Sequence, residues 1–343
     1  MTRLTWEPIT LRLRTPFRVS YGASETRRAH WLRLAGDEGW GEGTIPPYYG
    51  IADEAMAAVW AAADRLTAPF PDDPAGIPAW LAADPAVAAG PAPARAALDL
   101  ALHDRIGRRL GQPLHVLLGL PAPRPLPTSF TLGIDAPEVM AEQAAALANC
   151  SVIKLKLGGD DGGDVARVAA VRAARPDVAL YVDANAGWSP DDAIAQIERM
   201  LPYGVALVEQ PVAKGDIAGM GRVQAACAVP VVADESLQSL ADVDRLAAAG
   251  VRGVNLKLMK LGGLAAGLAV LRRARALGLG VMLGCMVETA VGATAMAHLM
   301  GLADWLDLDA PWLVADDPFD GLTYDDHSRV HVPDRPGIGV NRR

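Results

Sequence analysis

Two lysines stand one residue apart in an otherwise apolar run, VIKLKLGG at 152–159. Lysine is rarely buried without a partner. Alternate residues of a strand share a face, so Lys154 and Lys156 point to the same side. Asp183, Glu209, Asp234 and Lys257 then follow Lys156 at successive intervals of 27, 26, 25 and 23 residues. One strand plus one helix takes about that length, so each group falls at the end of a successive strand. A single Asp after a strand often serves as a helix N-cap, and DANAGWSPDD and ADESLQS both contain such caps. Three acids at near-equal spacing, bracketed by lysines, are not accounted for by capping. Carboxylates gathered at one mouth repel each other unless a cation joins them. Hard oxygen donors from three strands suit a divalent ion, Mg²⁺ or Mn²⁺, with positions left for water or substrate.

The elements that must position these groups are legible as a repeated beat. TSFTLG, VIKLKLG, ALYVDA, VALVEQ, VPVVADE, GVNLKL, GVMLGCM and WLDLDAP are short apolar runs separated by alanine-rich helical stretches. Strands alternating with helices imply parallel βαβ units. Eight of them suit a closed barrel better than an open sheet, and the active face of such a barrel lies at the C-terminal ends of its strands. Before the beat begins, TRLTWEPITLRL and AHWLRLAG read as extended, and DEGWGEG supplies a turn and a continuing strand. RTPFRVSYGASETRR, between the first two, reads as a loop. From Ile51 to about Leu118 the periodicity is helical, and PAPRPLP at 121–127 marks a boundary.

Composition limits the function classes. The 343 residues are 51% apolar and 21% charged, with a net charge of −8, a balance that disfavours nonspecific nucleic-acid binding. Cys150, Cys227 and Cys285 have no metal-ligand spacing and fit a reducing compartment. MTRLTWEPIT has no apolar signal core, and no apolar stretch is long enough to span a bilayer. The expectation is a cytoplasmic protein with a small-molecule substrate and no membrane or nucleic-acid partner. GWGEG is not a dinucleotide fingerprint, and GGDDGGD at 158–164 lacks the spacing of a calcium loop. The six histidines show no paired ligand spacing, and His298 reads as structural.

With these residues in view, the chain resembles the enolase superfamily, in its muconate lactonizing enzyme subgroup. KLKLG, VDAN, VEQP, ADES and NLKLMKLGG carry the resemblance, and GWGEG, AALDLALHD and PLHVLLGL are similar to capping-domain segments. The resemblance implies an α/β fold: a modified TIM barrel, (β/α)₇β, with an N-terminal α+β capping domain. Residues 1–120 would form the cap, 121–320 the barrel, and 321–343 a segment returning to the cap. It also implies metal ligation by Asp183, Glu209 and Asp234. A homo-oligomer is compatible with it, although no interface is readable.

The same resemblance assigns roles. Lys156 and Lys257 would face each other across the site as acid/base pair, removing a proton from one face of a carbon and returning it to the other. A lysine base must be neutral, so a free value of ~10.4 has to fall to roughly 7–8, about 4 kcal/mol of bias. Lys154 would supply part of that push and hold the substrate carboxylate. An enediolate stabilised by Mg²⁺ is the superfamily's shared chemistry. Lys260, three residues past Lys257, would leave the inward face. Asp307 and Asp309 in DLDAP stand at i and i+2 and would clamp an ammonium; this Asp-x-Asp looks like the mark of dipeptide epimerases. Cys285 and Glu288 in GCMVETAVG are pocket candidates, and Glu235 a supporting one. Members acting on L-Ala-D/L-Glu carry an arginine in the 16–30 region, where Tyr21 or Gly22 stands here; Arg18, Arg27 and Arg28 are near but not equivalent. The expected activity is Mg²⁺-dependent epimerisation of the C-terminal residue of a dipeptide. A dehydratase, a cycloisomerase or a racemase of N-substituted amino acids remains the alternative.

Overall fold

In the computed structural model, residues 3–20, 22–46 and 49–343 are described. The chain opens with an antiparallel sheet of β1 (Leu4–Val19), β2 (Gly22–Leu34) and β3 (Gly39–Ile45), in that order. The stretch expected as a loop is instead the far end of the β1–β2 hairpin. Phe17, Arg18 and Val19 pair with Ser24, Ala23 and Gly22 after a register shift between Arg12 and Phe17. Backbone pairing and anchoring contacts override the weak strand propensity of Gly22, Ala23 and Ser24. Arg18 O accepts from Ile134 N (2.9 Å), and Ser20 Oγ donates to Asn185 O (3.0 Å), so the hairpin tip lies over the ends of barrel strands.

Gly39, Gly41 and Gly43 alternate along β3 and share one face. Helix Ala92–Leu110 packs directly on that face, where a Cβ on Gly41 would collide with Ala97 O. Gly111, in the left-handed region at φ 67°, ends the helix. Glu42 lies on the opposite face and reaches the barrel. It accepts from Thr289 N (2.9 Å), Thr289 Oγ1 (2.6 Å) and Gly292 N (3.3 Å), satisfying the open N–H groups of helix Ala290–Ala297. The sequence GWGEG thus welds its own helix on one side and the barrel on the other.

Among the described residues, eight short strands form one parallel sheet in chain order. They are β4 (Ser129–Leu132), β5 (Val152–Lys156), β6 (Ala179–Asp183), β7 (Val205–Glu209), β8 (Val231–Ala233), β9 (Gly253–Leu256), β10 (Gly280–Gly284) and β11 (Trp305–Asp307). A parallel bridge between Thr128 and Leu306 brings the last strand against the first and closes the barrel. Val152, Tyr181, Leu207, Val232 and Met282 form a separate buried cluster. The first four stand two residues before Lys154, Asp183, Glu209 and Asp234, so alternation stacks an apolar plug beneath the charged groups. The terminal segment packs on the cap: Ile338 N donates to Asp104 Oδ1 (2.8 Å), and Arg108 donates to Val340 O (3.0 Å). Just before it, the Phe319 ring lies edge-on to Trp31 and Trp40. Among the described residues no helix is long and apolar enough to cross a membrane.

Candidate active site

Strand ends deliver the acids. Asp183 closes β6, Glu209 closes β7, and Asp234 follows β8 by one residue. One oxygen from each lies within 4.8 Å of the others, and all three side chains are buried. Burial together with the Asp183 charge pushes the Glu209 carboxyl up to about 8. Burial opposes charge on Asp183 and Asp234 as well. There, Lys156 and Lys154 hold Asp183 below the ordinary carboxylate value, and Lys257 and Lys260 hold Asp234 well below it. Three hard oxygen donors converging from adjacent strands fit a divalent cation, which would offset the burial and repulsion that raise Glu209.

The lysines surround this cluster at two depths. Lys156 Nζ donates to Asp183 Oδ2 at 2.6 Å, and Lys257 Nζ to Asp234 Oδ2 at 2.8 Å. Both line the cavity over the barrel mouth, one against each flanking acid. Lys154 does not. It is fully buried, with Nζ 2.6 Å from Glu209 Oε2, 2.7 Å from Asp307 Oδ2 and 3.2 Å from Asp183 Oδ2. Its backbone sits one layer below Lys156 on the strand, yet both head groups meet Asp183 Oδ2. Burial disfavours its charge, but Asp307, Glu209 and Asp183 together raise it well above the ordinary lysine value. Lys154 is thus a buried cation engaged by three carboxylates. Lys260, also buried, donates to Asp234 O (2.5 Å), to Asp234 Oδ1 and to Asn255 O (3.0 Å), away from the cavity.

The cavity encloses about 360 Å³. Its roof is the cap hairpin: Phe17, Val19, Gly22, Ala23, Ser24 and Arg27 line it, and the Phe17 ring centroid stands 6.0 Å from Lys156 Nζ. Asp307 and Asp309 are both on its wall but differ in their partners. Asp307 has Lys154 on Oδ2 and Ser129 Oγ (2.6 Å) on Oδ1. Asp309 accepts from Thr131 N at 2.8 Å, and burial with the Asp307 charge pushes its carboxyl up to about 6. Cys285 lines the cavity with its Sγ donating to Asp307 O (3.2 Å), and burial raises its thiol well above the ordinary value.

Other sequence candidates fall elsewhere. Glu288 is not a lining residue, whereas Cys285, Met286 and Val287 are. It is buried close to Gly292, and burial with the Glu42 charge keeps its carboxyl well above the ordinary value. Tyr21 lies outside the described residues. Of the three nearby arginines, Arg27 lines the cavity, Arg18 lines an adjoining chamber, and Arg28 pairs with Asp53. Glu235 accepts from Asn185 Nδ2 at 3.1 Å, and burial with the Asp234 charge pushes it up to about 7. Asn185, Ser129 and Thr131 were not singled out from sequence. Asn185 ends the quoted VDAN, and Ser129 and Thr131 stand at i and i+2 of TSFTLG, which were the available signals.

Comparison with known proteins agrees with this fold. Residues 2–119 match the mandelate racemase/muconate lactonizing enzyme N-terminal domain, and residues 139–343 match the enolase C-terminal domain-like family. The chain is similar to an L-Ala-D/L-Glu epimerase of Bacteroides thetaiotaomicron, 33% identical over 98% of this chain and 87% of that protein. It is also similar to a hydrophobic dipeptide epimerase of Roseobacter litoralis, 35% identical over 98% of each. The structure superposes on the Enterococcus faecalis dipeptide epimerase complexed with Mg and the dipeptide L-Leu-L-Tyr, with TM-score 0.91, 28% identity and 99% of each chain covered.

Proposed function

Since the chain belongs to the mandelate racemase/muconate lactonizing enzyme family of the enolase superfamily, we propose that it is an isomerase, a Mg²⁺-dependent dipeptide epimerase. The reaction is inversion of the α-carbon of the C-terminal residue by 1,1-proton transfer through an enediolate. The observation that carries this reading is the pair of cavity-lining lysines, Lys156 and Lys257, each against a different flanking acid of one three-carboxylate cluster.

In this reading Asp183, Glu209 and Asp234 hold the Mg²⁺. When bound, that ion supplies Lewis-acid stabilisation of the charge that develops on the substrate carboxylate. The rest is done by the chain's own side chains. The neutral amine of one lysine takes the α-proton, leaving a planar carbon, and the ammonium of the other returns a proton to the opposite face. After one turnover the two lysines have exchanged protonation states, so the enzyme is set for the reverse substrate. Lys154, kept charged beneath the acids, offsets their negative charge without contacting the reacting carbon. Asp309 on the far wall receives the dipeptide's ammonium. The cap hairpin, with Phe17 over Lys156, limits water at the carbon being inverted.

The test is proton NMR in D₂O over a panel of L,L-dipeptides with Mg²⁺. The expected result is deuterium at the C-terminal α-carbon, with the L,D diastereomer appearing and both signals stopping on chelation. Exchange that persists in excess chelator, or no exchange across the panel, contradicts the proposal.

A further inference from the structure

A second chamber of about 320 Å³ adjoins the first, between the cap hairpin and helix Pro137–Ala146. Phe17, Ala23, Thr131 and Leu313 line both spaces. Two of these four are bonded to Asp309: Thr131 N donates to its Oδ2 (2.8 Å), and Leu313 N donates to its backbone O (3.1 Å). Asp309 therefore stands beside the boundary the two chambers share, with Lys156 and Lys257 lining the first.

We propose that the second chamber holds the side chain of the substrate's amino-terminal residue, and that this residue is large and apolar. The inference rests on the dipeptide reading, in which Asp309 takes the ammonium. In an α-amino residue the ammonium and the side chain share one carbon. The peptide bond leads from that carbon toward Lys156 and Lys257, so the side chain leaves on the side away from them. Thr131 and Leu313, which line both spaces, stand at the boundary with the second chamber. Its own walls are Leu132, Ile134, Leu147 and Trp312. Arg18, Asp135 and Gln143 are its remaining long polar side chains, and Asp135 Oδ1 is already occupied by Ala136 N (2.8 Å). An alanine methyl fills little of such a space, whereas a leucine or phenylalanine side chain is drawn from water into it. Each methylene so buried is worth about fourfold in specificity.

The experiment fixes the C-terminal residue and varies the amino-terminal one. With Mg²⁺ bound, kcat/KM for α-hydrogen exchange is measured on L-Leu-L-Ala and L-Ala-L-Ala. The expected leucine-to-alanine ratio is about tenfold or more in the unmodified enzyme. Ala146→Trp narrows the chamber from the exposed end of helix Pro137–Ala146, and Gln143→Trp does so from one turn earlier on the same helix face. Either substitution should bring the ratio below about twofold. Because both substrates are read in one variant, general damage to fold or chemistry cancels. A ratio near one in the unmodified enzyme, or a ratio that neither substitution changes, overturns the assignment. Exchange with neither peptide, nor with any other dipeptide, overturns the dipeptide reading and this one with it, and is recognised by the absence of any ratio to measure.

Discussion

Asp307 and Asp309 are two residues apart, equally buried, and on the same cavity wall, yet their substitution should give different phenotypes. Asp307 is engaged within the protein on both oxygens, by Lys154 and Ser129, whereas Asp309 is positioned by Thr131 and meets the cavity. A charge-assisted hydrogen bond to an ammonium is worth roughly 1.5–3 kcal/mol. Asp309→Asn should therefore lower kcat/KM for a free dipeptide by about 10- to 150-fold. For the N-acetylated peptide, which has no ammonium, the change should stay within about threefold. The preference for the free amine should also weaken in the unmodified enzyme as pH falls through about 6, where Asp309 takes up a proton. Asp307→Asn instead removes one partner of a buried ammonium, a class of change that costs about 3–5 kcal/mol. Glu209 and Asp183 still face Lys154, so the lower end applies, and the melting temperature should drop by roughly 4 °C. The assay is steady-state α-hydrogen exchange on the free and acetylated peptides, paired with thermal melts. Equal losses on both peptides in Asp309→Asn, or loss of amine preference only in Asp307→Asn, would refute the division of labour.

Two further predictions concern the junction between cap and barrel. His298 is buried with Nε2–H donating to Ile338 O (3.1 Å), and burial pushes its imidazole down to about 4. Its folded value lies below the ordinary 6.5, so its contribution is fully present above pH 6.5 and lost as pH falls toward 4. Urea melts at pH 7 and 4.5 should show the unmodified protein losing about 2.5 kcal/mol more than His298→Gln; equal losses would remove the argument. Glu42 runs the other way. Burial pushes it up to about 7 against the donors from Thr289 and Gly292, so its contribution is present below pH 4.5 and lost as pH rises through 7. Glu42→Gln should flatten the fall in melting temperature between pH 5 and 8, and an unchanged slope would contradict the assignment.

The barrel was legible because each charged residue at a strand end came with its own apolar run and the next βα interval. Asp183, Glu209 and Asp234 needed only strand alternation and spacing. What alternation cannot give is the partner: it places Lys154 and Lys156 on one face, but not the pairing of Lys154 with Asp307, 153 residues away. Glu288 lies past the end of β10, where no period orients a side chain. Glu42 acts on Thr289, 247 residues away in the chain, a pairing that no local pattern carries. The 14–28 stretch misled because Gly22, Ala23 and Ser24 look like loop residues. Their strand is set by pairing with Val19, Arg18 and Phe17 and by the docking of the hairpin on Ile134 and Asn185.

The central claim is that two amines reach the same α-carbon from opposite faces. The measurement is α-hydrogen exchange in D₂O by Lys156→Ala and Lys257→Ala, each with both diastereomers of one dipeptide. Each variant should lose epimerisation yet still exchange one diastereomer, and the two variants should retain opposite ones. Both variants exchanging the same diastereomer, or either one still converting L,L to L,D at the unmodified rate, would contradict it.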